Sequence, residues 1–193
     1  MAQTIDVNLM ALASGEHCVS ELEDVEMLMR LYQPKVLRFV ALSLGDRDAA
    51  ESITQDCFFK AHATRAQFRG DCSVSTWLMR IAFNLARDHT KSLKFRFWKR
   101  VAASAVDVAD LGHYLPSTAS SPEAQLLARE KLQLIQGALQ KLSPRQRGVF
   151  VMRFVEELDL GEIAEVTGMP VQTVKTHLYR AVAEIRNQFG VKV

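Results

Sequence analysis

Residues Leu160 to Arg180 read LGEIAEVTGMPVQTVKTHLYR, and this stretch decides the fold of the second half of the chain. A helix-turn-helix needs a small residue where its helices cross, a glycine in the sharp turn and a branched apolar residue that locks the second helix. Ala164, Gly168 four residues later and Val174 ten residues later meet those three demands. Gly168 can take positive φ without a steric cost, and Pro170 starts the second helix where no backbone donor is wasted. Helical spacing gives that helix a buried side of Val171, Val174, Leu178, Val182 and Ile185. Its exposed side carries Gln172, Thr173, Lys175, Thr176, His177 and Arg180. Side chains at the start of such a helix meet base edges in the major groove, where Gln, Lys and Arg can read purines; Thr and His suit phosphates. A plain helical hairpin with a polar face is the bland alternative, and His177 alone would be read as a surface residue.

Upstream, Ser143-Pro144 ends one helix and opens another that runs through Val149, Phe150, Met152, Phe154 and Val155. The preceding helix begins at an N-cap, Ser121, with Pro122 and Glu123 in the first turn. It continues through Leu126, Leu127, Leu132, Ile135, Leu139 and Leu142. Before it, Leu115 to Pro122 reads LPSTASSP, and clustered Ser, Thr and Pro bury too little apolar surface to fold. The expected architecture is therefore all-α: two helical domains joined by a flexible linker, the C-terminal one a helix-turn-helix. The boundaries are a loose leader over 1–20, a front module over 21–97, a linker over 98–122 and a back module over 123–193.

The front module has its own helical signals. Leu22, Val25, Leu28, Leu31, Tyr32, Val36 and Val40 recur at helical spacing, with Pro34 expected to kink or split that helix. Gly45 and Asp46 provide a stop and a fresh start. A second helix covers about 49–67, with Ile53, Cys57, Phe58 and Ala61 on one side. The third has the clearest stripe, Val74, Trp77, Leu78, Ile81, Ala82 and Leu85, and its other face presents Arg80, Asn84, Arg87, Asp88 and Lys91.

Charge is unevenly placed. Residues 1–50 hold four Lys/Arg against eight Asp/Glu, whereas residues 51–100 hold ten against four. Lys91, Lys94, Arg96, Lys99 and Arg100 form a run with no acidic residue, interleaved with Phe95, Phe97 and Trp98. Concentrated cations suit phosphates, and flat rings beside them suit stacking on unpaired bases; a solvated helix end is the bland reading. No apolar run approaches a membrane span of about 20 residues. Nothing at the N-terminus resembles a secretory signal, and three cysteines at unrelated spacings, Cys18, Cys57 and Cys72, favour a reducing cytoplasm over a disulfide framework.

With two DNA-competent helical modules on the page, the remaining motifs narrow the field. DAAESITQDCFFKAHA (Asp48–Ala63), followed by FRGDCSVSTWLMRIAFNLARDH (Phe68–His89), resembles the second conserved region of the extracytoplasmic-function (ECF) sigma factors. LSPRQRGVFVMRFVEELDLGEIAEVTGMPVQTVKTHLYRAVAEIR (Leu142–Arg186) is similar to their fourth region. The resemblance spans about 28–189 in the family's order. It implies a promoter-specificity subunit without catalysis, cofactor or metal. Glu51, Gln55, Asp56 and Phe58 would dock on the β′ coiled coil of core RNA polymerase, with Ser52 standing where the family commonly has an acidic residue. Arg80, Asn84, Arg87, Asp88 and Lys91 would hold the unpaired minus-ten strand, with loop residues 66–75 forming a pocket for a flipped base. Trp77 would be core. Gln172, Thr173, Lys175, Thr176, His177 and Arg180 would hold the minus-thirty-five duplex. The implied partners are core RNA polymerase (β′ coiled coil and β flap), promoter DNA and an anti-sigma factor.

Two other classes compete. A polymerase-independent operator-binding regulator could carry a similar back module, although the usual α/β receiver has no counterpart in the front half. An enzyme has little support: there is no phosphate-cradling Gly loop, paired Cys-x-x-Cys, His-Glu-x-x-His or nucleophile elbow. His17-Cys18 is too little for a metal site, and Cys57 reads as a small core residue.

Overall fold

A computed structural model describes residues 24–92 and 134–190. The leader, the linker, the basic-aromatic residues after Ser92 and the expected helix start at Ser121 lie outside the described residues. All regular structure among the described residues is helical, in the order α1 (Val25–Leu44), α2 (Arg47–Thr64), a 3-10 turn (Arg65–Gln67) and α3 (Val74–Lys91). Helical residues 134–141 follow, then α4 (Pro144–Phe154), α5 (Leu160–Thr167) and α6 (Val171–Gln188).

The boundaries follow from capping chemistry. Asp24 accepts from the amides of Glu26 and Met27 at 2.9 and 3.1 Å and starts α1. Gly45 ends it at φ +70°, and Asp46 accepts from Ala49 N at 3.0 Å to start α2. Ser73 caps α3 through Thr76 N. Ser143 and Gln146 form a reciprocal capping box at α4, with Pro144 in its first turn, and Asp159 and Glu162 form another at α5. Each box satisfies two amides that a helix start otherwise leaves without partners.

Pro34 does not split its helix: α1 runs through it as one element. Pro34 and Arg30, whose carbonyl loses its helical donor, both lie on the exposed side, where water can hydrate that oxygen.

The apolar residues of both modules join in one cluster, from Leu28, Phe39 and Phe58 through Leu78 and Phe83 to Leu139, Met152, Ile163 and Val174. Within the front module α1 packs on α2 and α3; within the back module α4 packs on α5 and α6. Across the modules, α3 meets α4 and α5, and α1 meets α4. Two modules expected to hang separately on a linker thus share a core. Helix α3 makes this possible. Besides the expected stripe it buries Thr76, Met79, Phe83 and Ala86 on a second side, and Phe83 lies against Gly148 of α4.

Candidate nucleic-acid and polymerase interfaces

The helix-turn-helix geometry is built by Gly168. At φ +67° its amide donates to Ala164 O at 2.9 Å, closing α5, and Pro170 O then accepts from Thr173 N and Val174 N at 2.8 and 3.1 Å. A Cβ on Gly168 would meet no neighbour within 4 Å, so only its backbone conformation demands glycine. Gly168→Ala is therefore expected to destabilise the protein by about 1–2 kcal/mol, the usual cost of left-handed backbone for a residue with a Cβ. Thermal unfolding checks this, and an unchanged midpoint would contradict it.

Helix α6 buries Val174 and Ala181 completely and half-buries Leu178, Val182 and Ile185. Val171, expected inside, is 41 % exposed: it is the first residue of the helix and has no preceding turn to pack on. Of the expected outer residues, Gln172, Thr173, Thr176 and Arg180 are exposed and Lys175 is half-buried. His177 is also half-buried, with Nδ1 enclosed and without a protein partner. Burial first, then Arg145 and Arg180, lower its pKa below the usual histidine value. Arg145, at the start of α4, is a cation the sequence reading passed over.

On the front module, Gln67, Phe68, Arg69, Asp71, Cys72, Trp77 and Arg80 line an open cavity of about 480 Å³, with Glu165 of α5 at its edge. The Phe68 and Trp77 rings stand 5.3 Å apart at 56°. Trp77, expected in the core, is half-buried and walls this cavity. Gln67, Phe68, Arg69, Asp71 and Cys72 belong to the loop 66–75 that the family resemblance implied as a pocket. Arg80 is exposed, yet its Nε donates to Glu165 O at 3.0 Å. Asn84 and Arg87 are half-buried, Arg87 contacts Asp88 at 3.3 Å, and Asp88 and Lys91 are exposed. Cys57 is buried among apolar side chains, which pushes its thiol up to about 12 and leaves it protonated and inert at neutral pH.

The acidic face of α2 needs one correction. Glu51, Gln55 and Asp56 are exposed, with Glu51 held by Arg47 at 2.9 Å. Phe58, expected as the apolar docking anchor, is 1 % exposed and belongs to the core with Ile53, Cys57 and Ala61. Its neighbour Phe59 is 74 % exposed. Residues 52, 55, 56 and 59 follow the i, i+3, i+4, i+7 spacing of one helix face, so Phe59 is the aromatic that stands beside Gln55 and Asp56.

Comparison with known proteins bears on these surfaces. Residues 28–96 match the Sigma-70 region 2 model, and residues 132–185 match the model for Sigma-70, region 4. The chain is 30 % identical over 166 residues to the ECF RNA polymerase sigma-E factor of Escherichia coli (strain K12), covering 84 % of each. This chain belongs to the ECF sigma factors. It is also 29 % identical over 161 residues to the ECF RNA polymerase sigma factor SigW of Bacillus subtilis (strain 168), covering 83 % of this chain and 86 % of that one. Its fold is similar to that of the sigma factor RpoE solved in complex with the anti-sigma factor NepR from Bartonella quintana. The TM-score is 0.64 at 22 % identity, with 89 % of this chain and 99 % of that chain covered. Sigma factors are transcription regulators rather than enzymes. No helix among the described residues is long and apolar enough to cross a membrane, and no group of metal-ligating side chains occurs among them.

Proposed function

We propose that this sigma factor works in the cytoplasm, binding core RNA polymerase, directing it to promoters and helping to separate their strands. The observation that carries this reading is the pairing of two different nucleic-acid surfaces in one chain. One is an exposed second helix on a helix-turn-helix; the other is an aromatic-walled cavity edged by Arg69 and Arg80. The first suits duplex DNA, the second an unpaired base and its phosphates. Polymerase docking falls to Glu51, Gln55 and Asp56 with Phe59 as anchor, and the back module meets the β flap. Arg80, Asn84, Arg87, Asp88 and Lys91 serve the minus-ten strand; Gln172, Thr173, Lys175, Thr176 and Arg180 serve the minus-thirty-five duplex, with His177 packed behind them. The domain limits 21–97 and 123–193, with 98–122 as linker, accompany this assignment. Control by an anti-sigma factor is inferred from the similar RpoE, which was solved with one.

Transcription in vitro from a fragmented genomic library, with bacterial core polymerase plus or minus this protein, tests the reading. Discrete new transcripts sharing two spaced upstream elements are expected. No new transcripts, together with no co-elution with core polymerase, would leave a stand-alone operator-binding regulator. Once a promoter is known, Lys175→Ala and Arg180→Ala should each weaken binding of its upstream duplex by about 1–3 kcal/mol. Asn84→Ala should instead lower selectivity at the minus-ten element, read as the ratio of open complex on matched and mismatched strands. Unchanged open-complex formation in all three variants would refute these assignments.

A further inference from the structure

Helices α1, α3 and α4 meet at a crevice whose lining includes Phe39, Ser43, Phe83, Arg87, Arg145 and Gly148. Contacts around it fix its walls. Glu156, in the turn after α4, has a side chain with 0 % exposure, and its two oxygens accept from Arg38 Nε and Nη2 of α1 at 2.8 and 2.7 Å. At the end of α1, Ser43 O accepts from Arg147 Nη1 at 2.7 Å and Leu44 O from Gln140 Nε2 at 3.3 Å. Those carbonyls would otherwise present negative charge to the crevice; donors already engage both.

The lining is lopsided in charge and in hydrogen bonding. Ser43 is 8 % exposed, and its Oγ is enclosed with no hydrogen-bond partner among the described residues. A buried hydroxyl without a partner lowers stability, so such groups are rare and call for a reason. Guanidiniums from two helices, Arg87 of α3 and Arg145 of α4, line the same crevice, and no described carboxylate does. Arg87 engages Asp88 through Nε alone, at 3.3 Å. Arg145 is exposed and makes no hydrogen bond or ion pair among the described residues. Helix α4 also begins here, with Pro144 in the lining, so the positive end of its dipole adds to the same field.

We propose that this crevice is a binding site for a small phosphate-type oxyanion, held between the Arg87 and Arg145 guanidiniums with Ser43 Oγ as its innermost donor. The enclosed space is about 20 Å³. A water molecule needs about 10–15 Å³ measured this way, so one phosphate oxygen enters toward Ser43 and the others stay at the mouth with the guanidiniums. Paired N–H donors of a guanidinium match paired phosphate oxygens, and these charge-assisted bonds are the strong ones. The Phe39 and Phe83 rings keep water from the inner contact, where a low local dielectric strengthens it further. Because the ligand bridges α3 and α4, its binding stabilises the helix junction by mass action. The site does not rest on the sigma-factor reading, and Arg87 is the one residue of the three also assigned to promoter DNA.

Titration calorimetry on the full-length protein at fixed ionic strength, with inorganic phosphate and adenosine 5′-monophosphate as probes, tests the site. Wild type should bind at least one probe saturably at millimolar concentration. Arg87→Gln and Arg145→Gln should each weaken that binding about tenfold or more, the factor for one charge-assisted hydrogen bond. Ser43→Ala should weaken it as well, yet melt no lower than wild type without phosphate, because the hydroxyl it removes has no partner to lose. A serine needed only for packing would lower the melting temperature and leave the affinity alone. Arg153→Gln removes an exposed arginine at the other end of α4 and should bind the probes as wild type does. Phosphate stabilises proteins in general by exclusion from their surface, so only a saturable effect counts. Tighter binding of free phosphate or of the nucleotide supports the site in either case and names the source of the oxyanion. No saturable binding of either probe, or equal weakening by Arg153→Gln and Arg145→Gln, would overturn it.

Discussion

Phe59→Ala is expected to weaken binding to core polymerase by about 2–3 kcal/mol, the loss usual for a buried aromatic anchor at an interface, while thermal stability stays within about 0.5 kcal/mol of wild type. The physical basis is the contrast between two adjacent rings. Helix α2 turns its Ala50, Ile53, Thr54, Cys57, Phe58 and Ala61 inward, and at 1 % exposure Phe58 is wholly spent on the fold. Phe59, one position on, sits 100° around the helix and leaves 74 % of its surface in water. Burying that ring on a partner is a large apolar gain, and Gln55 and Asp56 beside it supply a polar, acidic rim. Phe58→Ala should behave in the opposite way, costing about 3–5 kcal/mol of stability through the cavity it leaves. Titration against core polymerase, paired with thermal melts of both variants, separates the roles. Equal polymerase affinity for Phe59→Ala and wild type would move the docking anchor elsewhere.

That adjacent pair also shows where the sequence is legible and where it is not. The helix-turn-helix could be read because its determinants are local: Gly168, Ala164 and Val174 are fixed relative to one another by one turn and two short helices. The stop at Gly45 and starts at Asp46 and Ser143 were legible for the same reason. The helical stripe also placed Phe58 correctly, with Ile53, Cys57 and Ala61; its docking role came from the family resemblance, which gives an aromatic near Gln55 and Asp56 but not which of two adjacent rings faces out. Val171 escaped because a periodic pattern does not know that a helix begins at that residue. The packing between modules could not be seen at all. Arg38 and Glu156 are 118 positions apart, and Phe83 meets a glycine, a residue that leaves no apolar signal in the sequence. The second buried side of α3 was hidden likewise, since Thr76, Met79, Phe83 and Ala86 alternate with Arg80 and Arg87 and look like an ordinary solvent face.

Arg147→Met should destabilise the protein by about 3–5 kcal/mol, the range for stripping the partner from buried polar groups, although the sequence PRQR offers no hint of it. Arg147 is 3 % exposed. Its Nε donates to Leu139 O at 2.8 Å, its Nη1 to Ser43 O at 2.7 Å, and its Nη2 to Gln140 O and Leu142 O, both at 3.1 Å. Three of those carbonyls belong to the end of the helix that precedes α4 and the turn after it, and the fourth to the end of α1. One guanidinium therefore caps two helix C-termini, where a cation is also favoured by the helix dipole. Burial pushes its pKa down to about 10, which still leaves it charged at neutral pH. Because the folded value is the lower one, the shift disfavours folding while the pH is below both values and relaxes only as pH rises above about 10. The carbonyl bonds must therefore outweigh that desolvation at neutral pH. Methionine keeps most of the apolar stem and supplies no donor, so the loss reports those four bonds rather than lost volume. Arg153→Met is the control: this exposed arginine makes a single bond, to Leu158 O at 3.1 Å, and should cost about 1 kcal/mol or less. Urea unfolding of both variants at neutral pH would measure the difference, and equal midpoints would mean that the carbonyls around Arg147 find water when the guanidinium is gone.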